Sequence, residues 1–447
     1  MSPKSLIKSI TPAFALSAYH MSLAFLAALW YRFPSESMVV IGVTGTKGKS
    51  STIFMLSRVL EEAGVKVAVS SSLMFKIKEN EWLNPYHMTM SGRFKLQQFL
   101  YQAKQAGCTH AIIETTSEGI KQFRHKFINF DAAVFTNLSP EHIEAHGGFE
   151  NYKRAKGQLF AALAYADKKI IGGKAIEKIS VLNFDDGSVD YYSGFHADKK
   201  YGFSAEGKCV TAKEKGALCF SVTELKSSAT GISFNLEGEN FEMPLLGDFN
   251  IYNAVCAAVT AKSLGVDFSA ARAALRKIEE IAGRMKFINS GQKFTAVIDL
   301  AHTPSSFEAV FKAVQLIKKP HGRVIAVFGS AGGGRDKWKR PEMGKIAARY
   351  ADYIILTNED PYDENPAVIC GSIEEGVKVA NFPGVLETIY DRKKAIARAV
   401  NVARWNDLVL FLGKGTEQTM VVGEESIPWD EQAEVLVTIK DMLYDRK

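Results

Sequence analysis

Apolar and polar positions alternate along the chain in two repeating styles. Short β-branched and aliphatic runs that end in polar residues read as buried strands. Longer stretches with apolar residues three or four apart read as helices. Residues 38–43 form such a run and end in a glycine-rich turn. Residues 50–63 follow with Ile53, Leu56, Val59 and Leu60 at helical spacing, and Gly64 is the expected stop. Residues 111–114 and 132–137 repeat the apolar run with a polar end, and helical stretches lie between them. That order predicts a parallel sheet with crossover helices. Over residues 179–244 the pattern becomes short alternating runs broken by Gly and Asp/Asn turns, which predicts a small antiparallel β section. Residues 247–264 return to a helix. Residues 296–299, 324–328, 353–357 and 408–412 then read as strands of a second α/β unit, with Ile281-Ala-Gly-Arg284 as the hinge.

The first 37 residues differ from the rest. Residues 12–31 carry no formal charge, are flanked by Lys4, Lys8 and Arg32, and approach the length of a membrane span. Ser17, His20, Ser22 and several alanines interrupt the apolar run, and Pro12 after Thr11 reads as a helix start. A helix packed on the protein or on a partner is expected, with a membrane-surface or spanning anchor as the alternative. A signal peptide is disfavoured because the loop strand follows at once.

Composition narrows the class only a little. With 447 residues, 47% hydrophobic and 23% charged, the chain has room for two or three domains, each with a core. A net charge of +6 suits anionic small molecules. No Lys/Arg-rich run or aromatic-basic stripe points to nucleic acid. Cys108, Cys209, Cys219, Cys256 and Cys370 are scattered without a CxxC pair. Neither a zinc ribbon nor a disulfide framework is expected, and buried thiols in a reducing cytoplasm are.

The chemistry begins at Gly42-Val-Thr-Gly-Thr-Lys-Gly-Lys-Ser50. Glycines let backbone N–H groups converge on phosphate oxygens, the following helix offers its positive end, and a lysine neutralises charge. The common pattern G-x-x-x-x-G-K-[ST] would need glycine at Val43, so the strict form is not met; the terminal Gly48-Lys49-Ser50 is kept. An ordinary glycine-rich turn is the bland alternative, and the strand before and helix after argue against it. Ser50 supplies a hydroxyl for Mg²⁺. Glu114 ends a strand, and His142 lies in Asn137-Leu-Ser-Pro-Glu-His142. A carboxylate and an imidazole at strand ends beside a triphosphate can hold a second Mg²⁺. Singly, each reads as a solvated polar residue.

Taken together these residues resemble the Mur ligases, and within them the tripeptide-forming branch. The resemblance runs over residues 39–434. It rests on the loop itself, Glu114-Thr-Thr-Ser117, Thr136-Asn-Leu-Ser-Pro-Glu-His142, Tyr152-Lys-Arg-Ala-Lys156, Gly247-Asp-Phe-Asn-Ile-Tyr-Asn253, Gly283-Arg-Met, Asp299-Leu-Ala-His302, Arg335-Asp-Lys-Trp-Lys-Arg-Pro and Gly413-Lys-Gly-Thr-Glu417. It implies an α/β protein in two main parts. A P-loop central domain with a mostly parallel sheet plus a small β section would span 38–282, and a Rossmann-like C-terminal domain 283–447. It also implies that Thr44, Gly45, Thr46, Lys47, Gly48, Lys49, Ser50 and Ser51 cradle ATP, with Asn253, Arg284, Asp299 and His302 holding the nucleotide between the domains. Ser50, Glu114 and His142 would hold Mg²⁺, and Lys156 would be carbamylated. Thr89, Ser117, Gln122 and Arg124 match the muramyl-dipeptide stretch; Arg335, Glu359, Asp360, Gly413 and Glu417 match the incoming amino acid's. The implied reaction forms an acyl phosphate on a carboxylate, which an amine then attacks. A cytoplasmic monomer acting on a muropeptide, an amino acid and ATP is expected.

Two departures stand out. The 37 residues before the loop strand are too few for the family's uridine-nucleotide domain, so the expectations are a uridine end held weakly or by a partner, or a different muropeptide, a lipid-linked one among the options. The Asp-Asn-Pro-Arg signature that reads the far carboxylate of diaminopimelate is here Glu359-Asp-Pro-Tyr362, and tyrosine lacks the bidentate fork of arginine. Lysine or another diamino acid therefore stays open beside diaminopimelate. The competing readings are a folate polyglutamylating ligase and a non-catalytic ATP-fold partner. The second-half motifs argue against the first. The presence of Lys49, Glu114, His142 and Lys156 argues against the second.

Overall fold

The computed structural model describes residues 13–445 apart from residues 87 and 142. Its larger sheet has eleven strands. From one edge they are Glu239–Met243, Gly231–Leu236, Ala217–Ser228, Lys199–Ser204, Ile179–Asn183, Ala132–Phe135, Val39–Thr44, His110–Glu114, Val67–Ser70, Met74–Ile77 and Asn80–Leu83. The Val39–Thr44 strand lies in the middle and pairs in parallel with His110–Glu114 and Ala132–Phe135. Its buried β-branched run is what a strand covered on both faces needs.

The crossovers then leave on opposite faces. The helix Lys49–Glu62 buries Ile53, Leu56 and Val59 in one core, while Phe149–Ala164 buries Tyr152, Leu159 and Phe160 in the other. The central strand and its Ala132–Phe135 neighbour therefore flank a crevice at their carboxyl ends, the usual ligand position in such sheets. Gly64, with φ of +78°, stops the helix Lys49–Glu62 as expected. At the opposite end of the strands sits a buried ion cluster. Asp131 accepts from Val40 N–H at 2.9 Å, Lys169 Nζ at 2.5 Å and Lys178 Nζ at 3.0 Å. Both ammonium groups also donate to main chain, at Met38 O and Phe130 O.

Two expectations are revised. The strands Ile179–Asn183 and Lys199–Ser204 run parallel and extend the main sheet, and Ala217–Ser228 joins them in parallel. Within residues 179–244, only Gly231–Leu236 and Glu239–Met243 add antiparallel pairs; Met74–Ile77 and Asn80–Leu83 do so at the other edge. The short helices Val189–Ser193 and Cys209–Glu214 make the crossovers, and the alternating sequence concealed them by their brevity. Cys209 and Cys219 form a disulfide, which their ten-residue spacing did not suggest; Cys108, Cys256 and Cys370 are buried thiols. The apolar N-terminal stretch forms the expected packed helix: Ala13–Trp30 lies on Arg93–Gln105. The expected start at Thr11 and Pro12 lies outside the described residues.

The second sheet has the order Lys286–Ile288, Thr295–Asp299, Leu408–Leu412, Val324–Phe328, Tyr353–Leu356 and Val385–Thr388. All neighbours are parallel except the first pair. Apolar cores cover both faces.

Candidate functional site

The loop after the central strand is locked by its neighbours before it meets anything else. Thr46 N–H donates to Asn137 O at 2.8 Å and Lys47 N–H to Asn137 Oδ1 at 2.9 Å. Gly45 and Gly48 have φ of +150° and +79°, and a Cβ on Gly48 would run into the Asn253 side chain. Glycine at 48 is thus required by backbone shape and by space. Asn253 itself is buried and fixed to Asn250 Oδ1 at 3.1 Å. Thr44 and Ser51 are buried at the loop's two ends.

Around the helix start, oxygen donors and cations converge. Ser50 Oγ donates to Glu114 Oε2 at 2.9 Å, and Ser72 reaches the same oxygen through N–H at 2.8 Å. Lys49 Nζ lies 3.9 Å from the other carboxylate oxygen and donates to Thr46 O at 2.9 Å. Lys156 is 2% exposed, and its Nζ donates to Gly45 O at 2.6 Å. Burial, reinforced by nearby Lys49, holds its pKa well below the ordinary lysine value; Glu141 and Glu114 oppose this only in part. The surface lysine that this residue type suggests by default is a buried amine. His142 lies outside the described residues.

Both halves of the chain meet at this crevice. Glu141 accepts from Lys47 Nζ at 3.1 Å and lies 3.6 Å from His302 Nε2. Asp336 accepts from the N–H groups of Ile143 at 3.3 Å and Glu144 at 3.2 Å. Asp299, at the end of its strand, accepts from Met285 N–H at 2.8 Å and Ala301 N–H at 2.7 Å. Burial raises its pKa against the pull of Arg284.

A second group of predicted residues is further along the same strand ends. Ser117 Oγ is 3.1 Å from His146 Nε2. Arg124 Nη2 donates to Gln122 Oε1 at 2.7 Å, and its other Nη to Met90 O. Arg93, absent from the sequence reading, donates to Gln122 O. Gln122 therefore sits between two guanidiniums, and neither forms an ion pair among the described residues. Both Nε atoms are buried without a hydrogen-bond partner. Thr89 is half-buried on the adjoining stretch.

The third group is in the C-terminal half. Glu359 is buried, with Oε2 unpartnered among the described residues and packed against Gly413; burial, opposed by Lys339, pushes its carboxyl up to about 7. Asp360 and Glu417 are both held by buried Lys414, at 3.0 and 2.7 Å. Arg335 is exposed. Sequence reasoning missed Ser72, Glu141, Asp336 and Lys414 as well as Arg93. Ser72 could have been found as a polar residue just past the strand Val67–Ser70.

A parallel sheet with a glycine loop at its switch point, facing a second doubly covered sheet, defines a two-part α/β protein of the nucleotide-loop class. Residues 43–261 match the model of the Mur ligase middle domain, and 283–415 that of the Mur ligase, glutamate ligase domain. The chain belongs to the Mur ligase family. It is 36% identical over 442 residues to a UDP-N-acetylmuramyl-tripeptide synthetase of Roseiflexus sp., covering 97% of this chain and 84% of that protein. It is 34% identical over 415 residues to a UDP-N-acetylmuramoyl-L-alanyl-D-glutamate–2,6-diaminopimelate ligase of Caldanaerobacter subterraneus, covering 92% and 80%. A solved ligase of the latter name superposes with a TM-score of 0.58 at 29% identity, over 91% of this chain and 79% of that one. Folylpolyglutamate synthase of Mycobacterium tuberculosis superposes with a TM-score of 0.63 over 96% of both chains, but at 15% identity it shares the fold alone.

Proposed function

We propose that this chain is an ATP-dependent amide ligase that adds an amino acid, a diamino acid, to a muramyl-dipeptide precursor of peptidoglycan. The supporting observation is the convergence of Lys49, Ser50 and Glu114 within hydrogen-bonding or ion-pair range, with buried Lys156 on the loop carbonyl beside them. The named relatives act on that class of acceptor.

The donor set fits Mg²⁺. Ser50 and Glu114 offer hard oxygens, and Mg²⁺ takes one or two protein ligands and fills the rest with phosphates and water. Among the described residues no group of three His, Cys, Asp or Glu forms a complete cage. When bound, the metal supplies charge neutralisation at the transferred phosphoryl group. In this reading Lys49 draws the β/γ-phosphates, and the loop N–H groups orient them. An acceptor carboxylate oxygen attacks the γ-phosphorus, and ADP leaves. The amine nitrogen then attacks the acyl carbon; phosphate leaves and the nitrogen gives up a proton. Arg124 and Gln122 hold the acceptor in line. The low pKa of Lys156 favours the neutral amine, the form that adds to CO₂ to give a carbamate and one proton. Glu359 and Asp360, where the diaminopimelate signature differs, favour a basic amino acid.

Phosphate release tests the reading. The acceptors are UDP-muramyl-dipeptide, the uridine-free muramyl-dipeptide and folyl-glutamate; the amino acids are diaminopimelate, lysine, ornithine and glutamate. Release with a muramyl acceptor and a diamino acid is expected. Release only with folyl-glutamate, or with neither muramyl acceptor, rejects the proposal.

A further inference from the structure

The helix Ala13–Trp30 is uncharged and mostly apolar, yet in its second half the small residues face inwards and the large ones face water. Ala24, Ala27 and Ala28 are buried, whereas Tyr19, Phe25, Leu26 and Leu29 are about half exposed and Trp30 is 77% exposed. Phe25, Leu26, Leu29 and Trp30 recur three or four apart, and Tyr19 lies seven residues before Leu26, so they share one side of the helix. Phe94 and Tyr101 on the supporting helix Arg93–Gln105 are exposed as well. Phe25 meets Phe127 edge to face at 5.3 Å, and Tyr31 lies tilted against Tyr101 at 5.8 Å, which ties the stripe to the 119–130 loop and the supporting helix. A contiguous exposed apolar stripe of this kind marks a contact surface.

Charge identifies the occupant. Asp and Glu make up 49 of the 447 residues, yet residues 1–35, 84–113 and 119–130 contain none. Arg32, Lys95, Lys104 and Lys126 lie in those same segments. A second copy of this chain would bring cations against cations, which disfavours self-association. An anionic phospholipid surface meets both halves of the pattern: Trp and Tyr side chains settle at headgroup depth, and each Lys or Arg is drawn to the negative leaflet. We propose that this face docks on an anionic bilayer, with the helix Ala13–Trp30 lying in the interface. No helix among the described residues is long and apolar enough to cross a membrane, so the contact is lateral. The proposal does not depend on the ligase reading.

Sedimentation of the full chain with vesicles tests it without turnover. The chain should pellet with phosphatidylcholine vesicles containing phosphatidylglycerol, more weakly with phosphatidylcholine alone, and less in high salt. Leu26→Glu with Leu29→Glu should weaken binding at least about tenfold. Lys95→Glu with Lys104→Glu should also weaken it about tenfold, through charge alone. All four positions are exposed, and thermal melting checks that each variant folds. If the apolar pair does not fold, the lysine pair still decides. The proposal is overturned if the wild type stays in the supernatant with anionic vesicles, or if the lysine pair binds as the wild type does. Light scattering that finds a dimer dissolved by Leu26→Glu assigns the face to a second copy instead.

Discussion

Replacing Asp131 by asparagine should destabilise the protein by about 3–5 kcal/mol at pH 7, the usual cost of breaking a buried pair from one side. The carboxylate is 1% exposed and serves two ammonium groups and one backbone N–H. Asparagine keeps the shape and its one oxygen can still accept from Val40, while its NH2 faces the Lys178 ammonium, so the charge and one acceptor are lost together. The two lysines are left buried among Met38 O, Phe130 O and Asn129 Oδ1, which solvate an ammonium without neutralising it. Burial already holds Lys169 below the ordinary lysine pKa, and Asp131 is what opposes that fall. In the variant the folded state binds the Lys169 proton still less tightly than the unfolded chain does. The deficit is therefore largest well below the lysine range and shrinks as pH rises towards about 10.4. Urea unfolding at pH 7 and pH 9.5, followed by tryptophan fluorescence, measures both quantities at an unchanged m-value. A loss under about 1 kcal/mol, or a gap that widens with pH, would refute the account of this cluster.

Lys156→Ala should nearly abolish amide formation, and small carboxylates should restore part of it; unaffected turnover removes the residue from the mechanism. Gly48→Ala should weaken ATP binding about tenfold or more, because a left-handed backbone and the Asn253 contact both oppose a Cβ. Equilibrium nucleotide binding reads this directly. Glu359 is neutral below about 7 and anionic above it, so KM for a basic amino acid should fall as pH rises through that value. Glu359→Gln should flatten the profile. It should also gain relative stability from about pH 4.3 to about 7, where the raised carboxyl subtracts stability from the wild type. Arg93→Ala should raise KM for the acceptor about tenfold while leaving ATP binding unchanged, since a charged hydrogen bond is worth about 1.5–3 kcal/mol; an unchanged acceptor KM assigns Arg93 a structural role.

The parts legible in the sequence were those whose cause is local. Val39–Thr44, Lys49–Glu62 and the second-half strands follow from apolar spacing and a glycine stop, and the loop follows from its glycines. Lys156 could be singled out by resemblance, but its burial is set by packing against the loop 111 residues earlier. Lys414 and Asp360 pair across 54 residues, and Asp336 reaches Ile143 across 193, so no window of sequence contains either contact. Parallel pairing of Lys199–Ser204 with Ile179–Asn183 and with Ala217–Ser228 depended on two crossover helices too short to show a period. Arg93 resembled any helix-start arginine until the 122–127 loop folded over it.

Glu141 touches the loop lysine of one half and faces His302 of the other. Under the proposed function, a nucleotide phosphate at the loop would compete with this carboxylate for the same ammonium group, and occupancy of the loop would change the charge presented to the second half. Affinity for the nucleotide and affinity for the amino acid then form one thermodynamic cycle. Whatever factor ATP contributes to amino-acid binding, the amino acid must return to ATP, and two Kd measurements suffice to close the cycle.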